Sequence, residues 1–191
     1  MSIQGAVSEH RESLKHAFEE MNLDGSAVIV RHKEQIDEVD ALIIPGGESS
    51  TISKILVKSG MYGAIVQRVK DNTLPIMGTC AGCVLLAKKI VGNTGETKSL
   101  CAMDIEVQRN AFGRQKESFE KSVEIKGFSK PYHAVFIRAP VIKEVWGACK
   151  ILAKIDKKIV AARQDKFLVF SFHPELTDDC RLHQYFLEMF I

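Results

Sequence analysis

A cysteine between two glycines, in the motif GTCAG at residues 78–82, is the strongest indication of chemistry in this sequence. The motif follows a buried-strand pattern at residues 74–77 and precedes an apolar helical segment. That is the arrangement of a nucleophile elbow with cysteine in place of serine, and the flanking glycines relieve the clashes of such a tight turn. A helix beginning after Cys80 would point its positive end at the sulfur and favour the thiolate. The N–H group of Ala81 would face a developing oxyanion, so we predict that Cys80 is a nucleophile.

A histidine and a glutamate two residues apart could supply the base that such a nucleophile needs. They lie in SFHPE at residues 171–175, directly after the apolar run at residues 167–170. The carboxyl end of a strand is where open α/β sheets place their ligands. Pro174 stiffens the turn, so Glu175 could fold back onto His173 and fix its tautomer, as the acid of a catalytic triad does. The remaining histidines have no such partner and are given no role: His10, His16, His32, His133 and His183.

Three further features could hold a substrate, although each also has an ordinary structural explanation. The loop PGGESS at residues 45–50 could turn backbone N–H groups toward a ligand, or could simply connect a strand to a helix. It lacks the Lys-Ser/Thr ending of a phosphate-binding loop. Arg109 and Arg138 could each bind a carboxylate through two hydrogen bonds, or could be surface arginines.

Cys80 and Cys83 together offer a different chemistry. Their C-x-x-C spacing at a predicted helix start is that of thioredoxin-like oxidoreductases. Those enzymes are shorter, and their first cysteine follows an aromatic-containing loop, which is missing here. A metal site is less favoured still, because no second cysteine pair or close histidine pair accompanies the first. A non-catalytic binding module remains a third alternative, although it would not need Cys80, His173 and Glu175 together.

Composition limits the possible locations and partners. The chain has 191 residues, of which 46% are hydrophobic, and these suit a single domain over residues 1–191 with a sizeable core. The net charge of +2 is spread along the chain and argues against a nucleic-acid partner. No run approaches the ~20 apolar residues that a membrane span requires, and the first residues do not form a signal peptide. Five cysteines then indicate reduced thiols in the cytoplasm.

The order of elements predicts an α/β fold in three layers, with a mixed, mostly parallel central sheet flanked by helices. Helices are predicted at residues 7–21, with Ser8 as N-cap, at 51–70 with an interruption near Gly60, at 84–91 and at 181–190. Strands are predicted at residues 41–44, 74–77, 105–108, 122–126, 135–138, 151–155, 159–163 and 167–172.

With these motifs in view, the sequence resembles the class I glutamine amidotransferases, whose fold is flavodoxin-like. More closely, it resembles the glutaminase subunits of pyridoxal 5′-phosphate synthase, the PdxT family. The resemblance extends from Ile3 to the C-terminus. Its segments are QGAVSEH at 4–10, PGGES at 45–49, GTCAG at 78–82, RN at 109–110 with FGRQ at 112–115, FIRAP at 136–140 and SFHPEL at 171–176. The QGAVSEH, RN-x-FGRQ and FIRAP segments are particular to the PdxT family.

The resemblance implies a role for each site residue. Cys80 would attack the side-chain amide of glutamine, His173 would transfer the proton, and Glu175 would orient His173. The N–H groups of Gly47 and Ala81 would form the oxyanion hole. The arginines would bind the carboxylate of glutamine and Glu48 its ammonium group. The implied glutamine-binding residues are Gly47, Glu48, Ser49, Arg109, Ile137 and Arg138.

The resemblance also implies a partner and no cofactor. Ammonia would pass through a tunnel to a separate barrel-shaped synthase subunit, PdxS-like, in a hetero-oligomer, and glutaminase activity would stay low until that subunit binds. No metal or organic cofactor is implied for this chain. An amidotransferase that serves another synthase, such as imidazole glycerol phosphate synthase, is the alternative within the class, and the segment at residues 109–115 argues against it.

Two features depart from the family pattern. Only three residues precede Gln4, whereas family members begin with a hydrophobic strand at this place. We therefore expect an exposed edge on the neighbouring strand and a disturbed Gln4, which in the family lies near the synthase. Cys83 stands where the family commonly has an aliphatic residue, and we interpret it as a packing substitution.

Overall fold

The structure is a computed structural model and describes residues 1, 3–112 and 118–191. Its α-helices are α1 (Val7–Glu20), α2 (Ser49–Lys58), α3 (Met61–Lys70), α4 (Ala81–Leu86) and α5 (Arg181–Leu187), with short 3-10 helices at Lys33–Ile36 and Pro174–Leu176. The strands are β1 (Leu42–Ile44), β2 (Ile76–Thr79), β3 (Ala87–Ile90), β4 (Met103–Gln108), β5 (Ser118–Val123), β6 (Tyr132–Ile137), β7 (Val141–Val145), β8 (Lys150–Ile155), β9 (Lys158–Gln164) and β10 (Phe167–Phe170). None of the helices in the described ranges is long and apolar enough to cross a membrane.

A mixed central sheet with helices packed against it confirms the predicted fold class. Its strand order is β1-β2-β10-β9-β7-β4-β3, and β8 pairs with β9 beside this path. The strands β1, β2 and β10 are mutually parallel, whereas β9 runs antiparallel to its neighbours. The strands β5 and β6 form a separate antiparallel pair. Because β1, β2 and β10 are parallel, the loops after all three emerge at one edge of the sheet, where α/β proteins bind ligands.

The alternation of side chains along the central strands divides the core between the two faces of the sheet. Leu42 and Ile44 of β1 belong to a cluster that α2, α3 and α4 cover. Ile43, between them, belongs to a second cluster that includes residues of β6, β8 and α5. Every residue of β1, β2 and β10 is buried, as expected for parallel strands covered on both faces.

The secondary structure of the segment after α4 differs most from the sequence prediction. Residues 84–91 were predicted to be helical, but α4 ends at Leu86 and β3 begins at Ala87, pairing in parallel with β4. A short apolar run fits a buried helix and a strand equally well, and periodicity alone does not separate them. The interruption near Gly60 is confirmed, because Gly60 at φ 76° separates α2 from α3.

Other boundaries also differ from the prediction. Ser8 is not the N-cap of α1, because the helix begins at Val7 after Ala6, and the Ser8 hydroxyl donates to Glu9 instead. The strand predicted at residues 122–126 lies earlier, at Ser118–Val123, and the prediction missed β7. The last helix ends at Leu187, before the predicted residue 190.

The outer edge of β1 is the end of the central sheet. The amino group of Met1 donates to the carbonyl of Ile43 there, over 3.0 Å. A cavity of about 420 Å³ lies beside this edge, between β1, α1, α5 and residues 23–30. Among the described residues, the segment 23–30 pairs with no strand.

Candidate active site

Cys80 occupies the turn between β2 and α4, as the elbow motif predicts. Its backbone has φ 49° and ψ −103°, a conformation that costs energy for any residue except glycine. The Cys80 N–H group donates to the carbonyl of Phe170 at the end of β10, over 2.9 Å. Gly82 lets α4 pack against the sheet, because a Cβ there would lie 2.1 Å from the carbonyl oxygen of Ile44. The turn is therefore strained, and its surroundings hold it in place.

His173 follows β10 and lies between Cys80 and Glu175. The backbone N–H group of His173 donates to the carbonyl of Val135. The ring Nδ1 is 2.7 Å from Oε1 of Glu175. Burial lowers the pKa of His173, but the hydrogen bonds and charges of Cys80 and Glu175 outweigh burial and raise the pKa to about 10. The imidazole is therefore protonated at neutral pH and places a positive charge beside the sulfur. The α4 helix has only six residues and contributes a weaker field.

Gly46 also belongs to the site, and the need for glycine at this position is not visible in the sequence. A Cβ at this position would lie 2.5 Å from Cε1 of His173 and 3.4 Å from Cβ of Cys80. The imidazole thus packs directly against the backbone of the loop after β1. The glycines of this loop predict N–H groups that face a ligand, whereas the steric need for glycine at residue 46 comes from His173 and Cys80, far along the chain.

An open cavity of about 370 Å³ lies over Cys80, a size typical of ligand sites. It is lined by Cys80, His173, Ala81 and all the residues that the resemblance implies for glutamine: Gly47, Glu48, Ser49, Arg109, Ile137 and Arg138. Glu175 lies behind His173 and is buried. Besides Cys80, the cavity-lining residues Asn110 and Arg138 have positive φ, as do the glycines Gly5 and Gly47. Positive φ is strained for Asn110 and Arg138, and such strained residues cluster at functional sites.

Glu48 has a structural contact that the sequence analysis missed. It is the N-cap of α2, and its carboxylate accepts hydrogen bonds from the N–H groups of Ser50 and Thr51. Partial burial opposes ionisation, but hydrogen bonds from the side chains of Ser50 and Thr51, together with those from their N–H groups, outweigh it and lower the pKa of Glu48 to about 2. Arg109 lies 4.0 Å from Glu48 and 3.9 Å from Glu96. A carboxylate has about four acceptor positions, so a capping Glu48 can still accept from a ligand.

Gln4 covers the glycine loop and lines the cavity. Its side-chain oxygen accepts from the N–H group of Glu48 over 2.7 Å. Gly47 beneath it has φ 135°, and a Cβ there would lie 2.7 Å from the same Gln4 oxygen. Gln4 therefore contacts the loop whose Gly47 N–H group the resemblance assigns to the oxyanion hole.

Two histidines that sequence analysis gave no role lie directly behind Glu175. The Nε2 atom of His10 is 3.3 Å from Oε2 of Glu175 and 3.2 Å from Oγ1 of Thr79. Its Nδ1 is 3.0 Å from Nε2 of His183. Burial lowers the pKa of His10 well below its usual range and that of His183 to about 4. Both imidazoles are therefore neutral at physiological pH.

The chain is similar to known glutamine amidotransferases over nearly its whole length. The SNO glutamine amidotransferase family matches residues 1–191. The chain belongs to this family. Its relatives include "Pyridoxal 5'-phosphate synthase subunit PdxT" of Methanococcoides burtonii, 50% identical over 98% of this chain and 96% of the relative. The protein of the same name from Brevibacillus brevis is 49% identical over 99% of this chain and 94% of the relative. A solved glutamine amidotransferase structure, 43% identical, superposes with a TM-score of 0.89 over 99% of this chain and 96% of that chain.

The family-specific segment at residues 109–115 is only partly described. Arg109 and Asn110 line the cavity, whereas Gly113, Arg114 and Gln115 lie outside the described residues. The relatives from Methanococcoides burtonii and Brevibacillus brevis are named as subunits of pyridoxal 5′-phosphate synthase, not of imidazole glycerol phosphate synthase.

Cys83 is placed poorly for the oxidoreductase alternative. Its side chain is fully buried, and burial raises the pKa of its thiol, so it is neither accessible nor readily ionised. This environment agrees with a packing role in the amidotransferase core. Among the described residues, no three His, Cys, Asp or Glu side chains are arranged to hold a metal ion.

The buried His183 makes the stability of the fold depend on pH. The pKa of His183 is about 4 in the folded protein and 6.5 in the unfolded chain. Between these two pH values the unfolded chain therefore binds more protons than the folded protein. Stability from His183 is therefore fully present above pH 6.5 and is lost as the pH falls toward 4. We expect the loss to be about 2 kcal/mol between pH 7 and pH 5.

Urea unfolding of the wild type and of His183→Gln at both pH values measures this contribution. The Gln variant does not titrate, so its unfolding free energy should change less between pH 7 and pH 5. Equal changes in the two proteins would contradict the assignment to His183.

Proposed function

We propose that this protein hydrolyses L-glutamine to L-glutamate and ammonia through a triad of Cys80, His173 and Glu175, and that it supplies the ammonia in the cytoplasm to a synthase subunit that makes pyridoxal 5′-phosphate. The observation that carries the proposal is the position of His173. Its Nδ1 is 2.7 Å from Oε1 of Glu175, and its ring lies beside Cys80, with which it lines an open cavity. This is the order of nucleophile, base and orienting acid in a catalytic triad.

In the first half of the reaction, the thiolate of Cys80 attacks the amide carbon of glutamine. The electron pair of the carbonyl bond moves to the oxygen, and the N–H groups of Gly47 and Ala81 stabilise the resulting oxyanion. Protonated His173 then donates its proton to the leaving nitrogen. The carbon–nitrogen bond breaks, ammonia departs, and a thioester joins Cys80 to the glutamyl group.

In the second half, water hydrolyses the thioester. His173, now neutral, accepts a proton from the water as it attacks the thioester carbon. The tetrahedral intermediate collapses with the thiolate of Cys80 as leaving group, which regenerates the ion pair with His173 and releases glutamate. Glu175 keeps the imidazole in one orientation through both proton transfers and stabilises its charged form.

The charged groups around the cavity suit free glutamine. Arg109 and Arg138 can bind its α-carboxylate, and Glu48 can bind its α-ammonium group. Ser49 and Ile137 complete the contacts with the substrate.

The proposed partner is a PdxS-like barrel in a hetero-oligomer with this chain. The proposal rests on the relatives, which are named as subunits of pyridoxal 5′-phosphate synthase. Direct transfer also has a chemical reason, because ammonia that escapes into water at neutral pH is mostly protonated and loses its nucleophilicity. A shared tunnel would deliver it unprotonated.

Glutamate release from glutamine, measured with and without such a synthase subunit, tests both parts of the proposal. We expect weak release from the chain alone and a rise of about 5- to 150-fold with the synthase, the usual range of coupling between two sites. The synthase subunit of imidazole glycerol phosphate synthase, which takes a different glutaminase, is the matched control and should give no rise. No release in any mixture would contradict the glutaminase assignment, and release that the synthase leaves unchanged would contradict the partner.

A further inference from the structure

The carboxylate of Glu175 has one oxygen engaged and one available. Oε1 bonds to His173, whereas Oε2 is buried and has no hydrogen-bond partner among the described residues. A buried charged oxygen without a donor is costly. A carboxylate held through one oxygen can also turn about its last side-chain bond, which would move Oε1 off the imidazole.

His10 is placed to engage the second oxygen. Its Nε2 is 3.3 Å from Oε2 of Glu175, within reach of a hydrogen bond after a small rotation of either group. The ring itself is held from two sides, by Thr79 at the end of β2 and by His183 of α5. Both imidazoles are almost fully buried, so solvent does not compete for these contacts.

The proton on His10 can be placed by electrostatics. A neutral imidazole carries one proton, on either Nε2 or Nδ1. With the proton on Nδ1, the lone pair of Nε2 would face the negative oxygen of Glu175, which is repulsive. With the proton on Nε2, His10 donates toward Glu175 and Thr79, and its Nδ1 accepts from Nε2–H of His183. The proton of His183 then lies on Nε2, which leaves Nδ1 bare, and that atom has no hydrogen-bond partner among the described residues.

We propose that His10 is a positioning residue for the triad: its Nε2–H group holds Oε2 of Glu175, so that Oε1 stays on His173, and His183 fixes the tautomer of His10. The part of this inference that concerns turnover rests on the proposed glutaminase function. The part that concerns the hydrogen bonds does not. The order of donors is His183 to His10, His10 to Glu175, and His173 to Glu175.

The tautomer can be read in the wild-type protein without any assay of activity. Long-range ¹H–¹⁵N correlation spectra of histidine-labelled protein distinguish a protonated Nε2 from a protonated Nδ1. We expect His10 and His183 both as neutral Nε2–H tautomers at pH 7.5. A Nδ1–H tautomer of His10 would overturn the proposal, because its Nε2 could not then donate to Glu175.

A pair of amide variants separates positioning from packing. His10→Gln places its amide nitrogen near the former Nε2 and can still donate to Glu175, whereas His10→Asn places it near Nδ1 and cannot reach. We expect the Gln variant to keep kcat within about threefold of wild type and the Asn variant to lose about 10- to 100-fold, the usual cost of removing an orienting hydrogen bond. KM for glutamine should stay within about threefold in both, because His10 does not line the substrate cavity.

His16 provides matched controls on the same helix. It is exposed and pairs only loosely with Glu12, so His16→Gln and His16→Asn should both behave as wild type. Equal kcat in the two His10 variants, whether high or low, would overturn the positioning role. If the Asn variant does not fold, a Gln variant below a tenth of wild-type kcat overturns it instead. A wild type that is inactive with its synthase contradicts the proposed function, and the tautomer measurement still tests the hydrogen bonds.

Discussion

Replacing Cys80 by alanine is expected to abolish glutamine hydrolysis while leaving the protein folded. Loss of a covalent nucleophile usually costs several orders of magnitude, so we expect kcat to fall by at least about 10⁴-fold in the presence of the synthase subunit. The fold should survive because alanine is smaller than cysteine and adopts φ 49° no less easily. Glutamate release and the thermal unfolding midpoint measure the two effects.

Cys83→Ala is the matched control for that experiment. Cys83 lies three residues further along, in α4, and is fully buried. Its truncation should cost about 1 kcal/mol of stability, the central value for point substitutions, and leave the rate of hydrolysis near wild type. Hydrolysis retained in Cys80→Ala would contradict the proposed reaction. Hydrolysis lost in both variants would instead favour chemistry that needs the pair of cysteines.

The sequence predicts those parts of the site whose interacting residues lie close together along the chain. GTCAG predicts a strand, a tight turn and a helix because its glycines and cysteine lie within five residues, and the structure has this arrangement. SFHPE likewise contains both members of the His173–Glu175 contact. The relative position of the two motifs follows from fold class, since β2 and β10 are neighbouring parallel strands.

Contacts between distant parts of the chain are what the sequence could not supply. His10 and His183 are 173 residues apart, and nothing around either one indicates that they meet behind Glu175. The one available signal was membership of His10 in the family-specific segment QGAVSEH at residues 4–10. Gly46 is a similar case, because its need for glycine comes from His173 and Cys80.

The error at Ala87–Ile90 has a different cause. The residues before it, in α4, are wholly buried, so the apolar pattern carries no helical or strand period there. What decides the outcome is the edge of β4, which is available to pair with β3. Strand formation at this place therefore depends on tertiary structure rather than on local preference.

Removing the charge of Glu175 is expected to lower kcat nearly as much as removing the nucleophile Cys80. Glu175→Gln keeps the shape of the side chain but removes the negative charge that stabilises protonated His173, and an amide can present either its oxygen or its nitrogen to the ring. The imidazole would then lose both its fixed tautomer and its raised pKa. In serine enzymes the corresponding change costs about 10⁴-fold in kcat, and we expect a loss of about 10³- to 10⁴-fold here. Steady-state glutamate release and an NMR titration of His173 measure the two consequences.

A surface pair of the same chemistry serves as the control for this charge. His133 and Glu120 are 2.8 Å apart, against 2.7 Å for His173 and Glu175, but both side chains are more than half exposed. Glu120→Gln should leave kcat unchanged, because solvent screens the pair and neither residue lines the cavity over Cys80. The comparison therefore isolates what burial and the contact with Cys80 add to a histidine–glutamate hydrogen bond. A kcat for Glu175→Gln within tenfold of wild type would mean that His173 is held and charged without Glu175, contrary to the proposed triad.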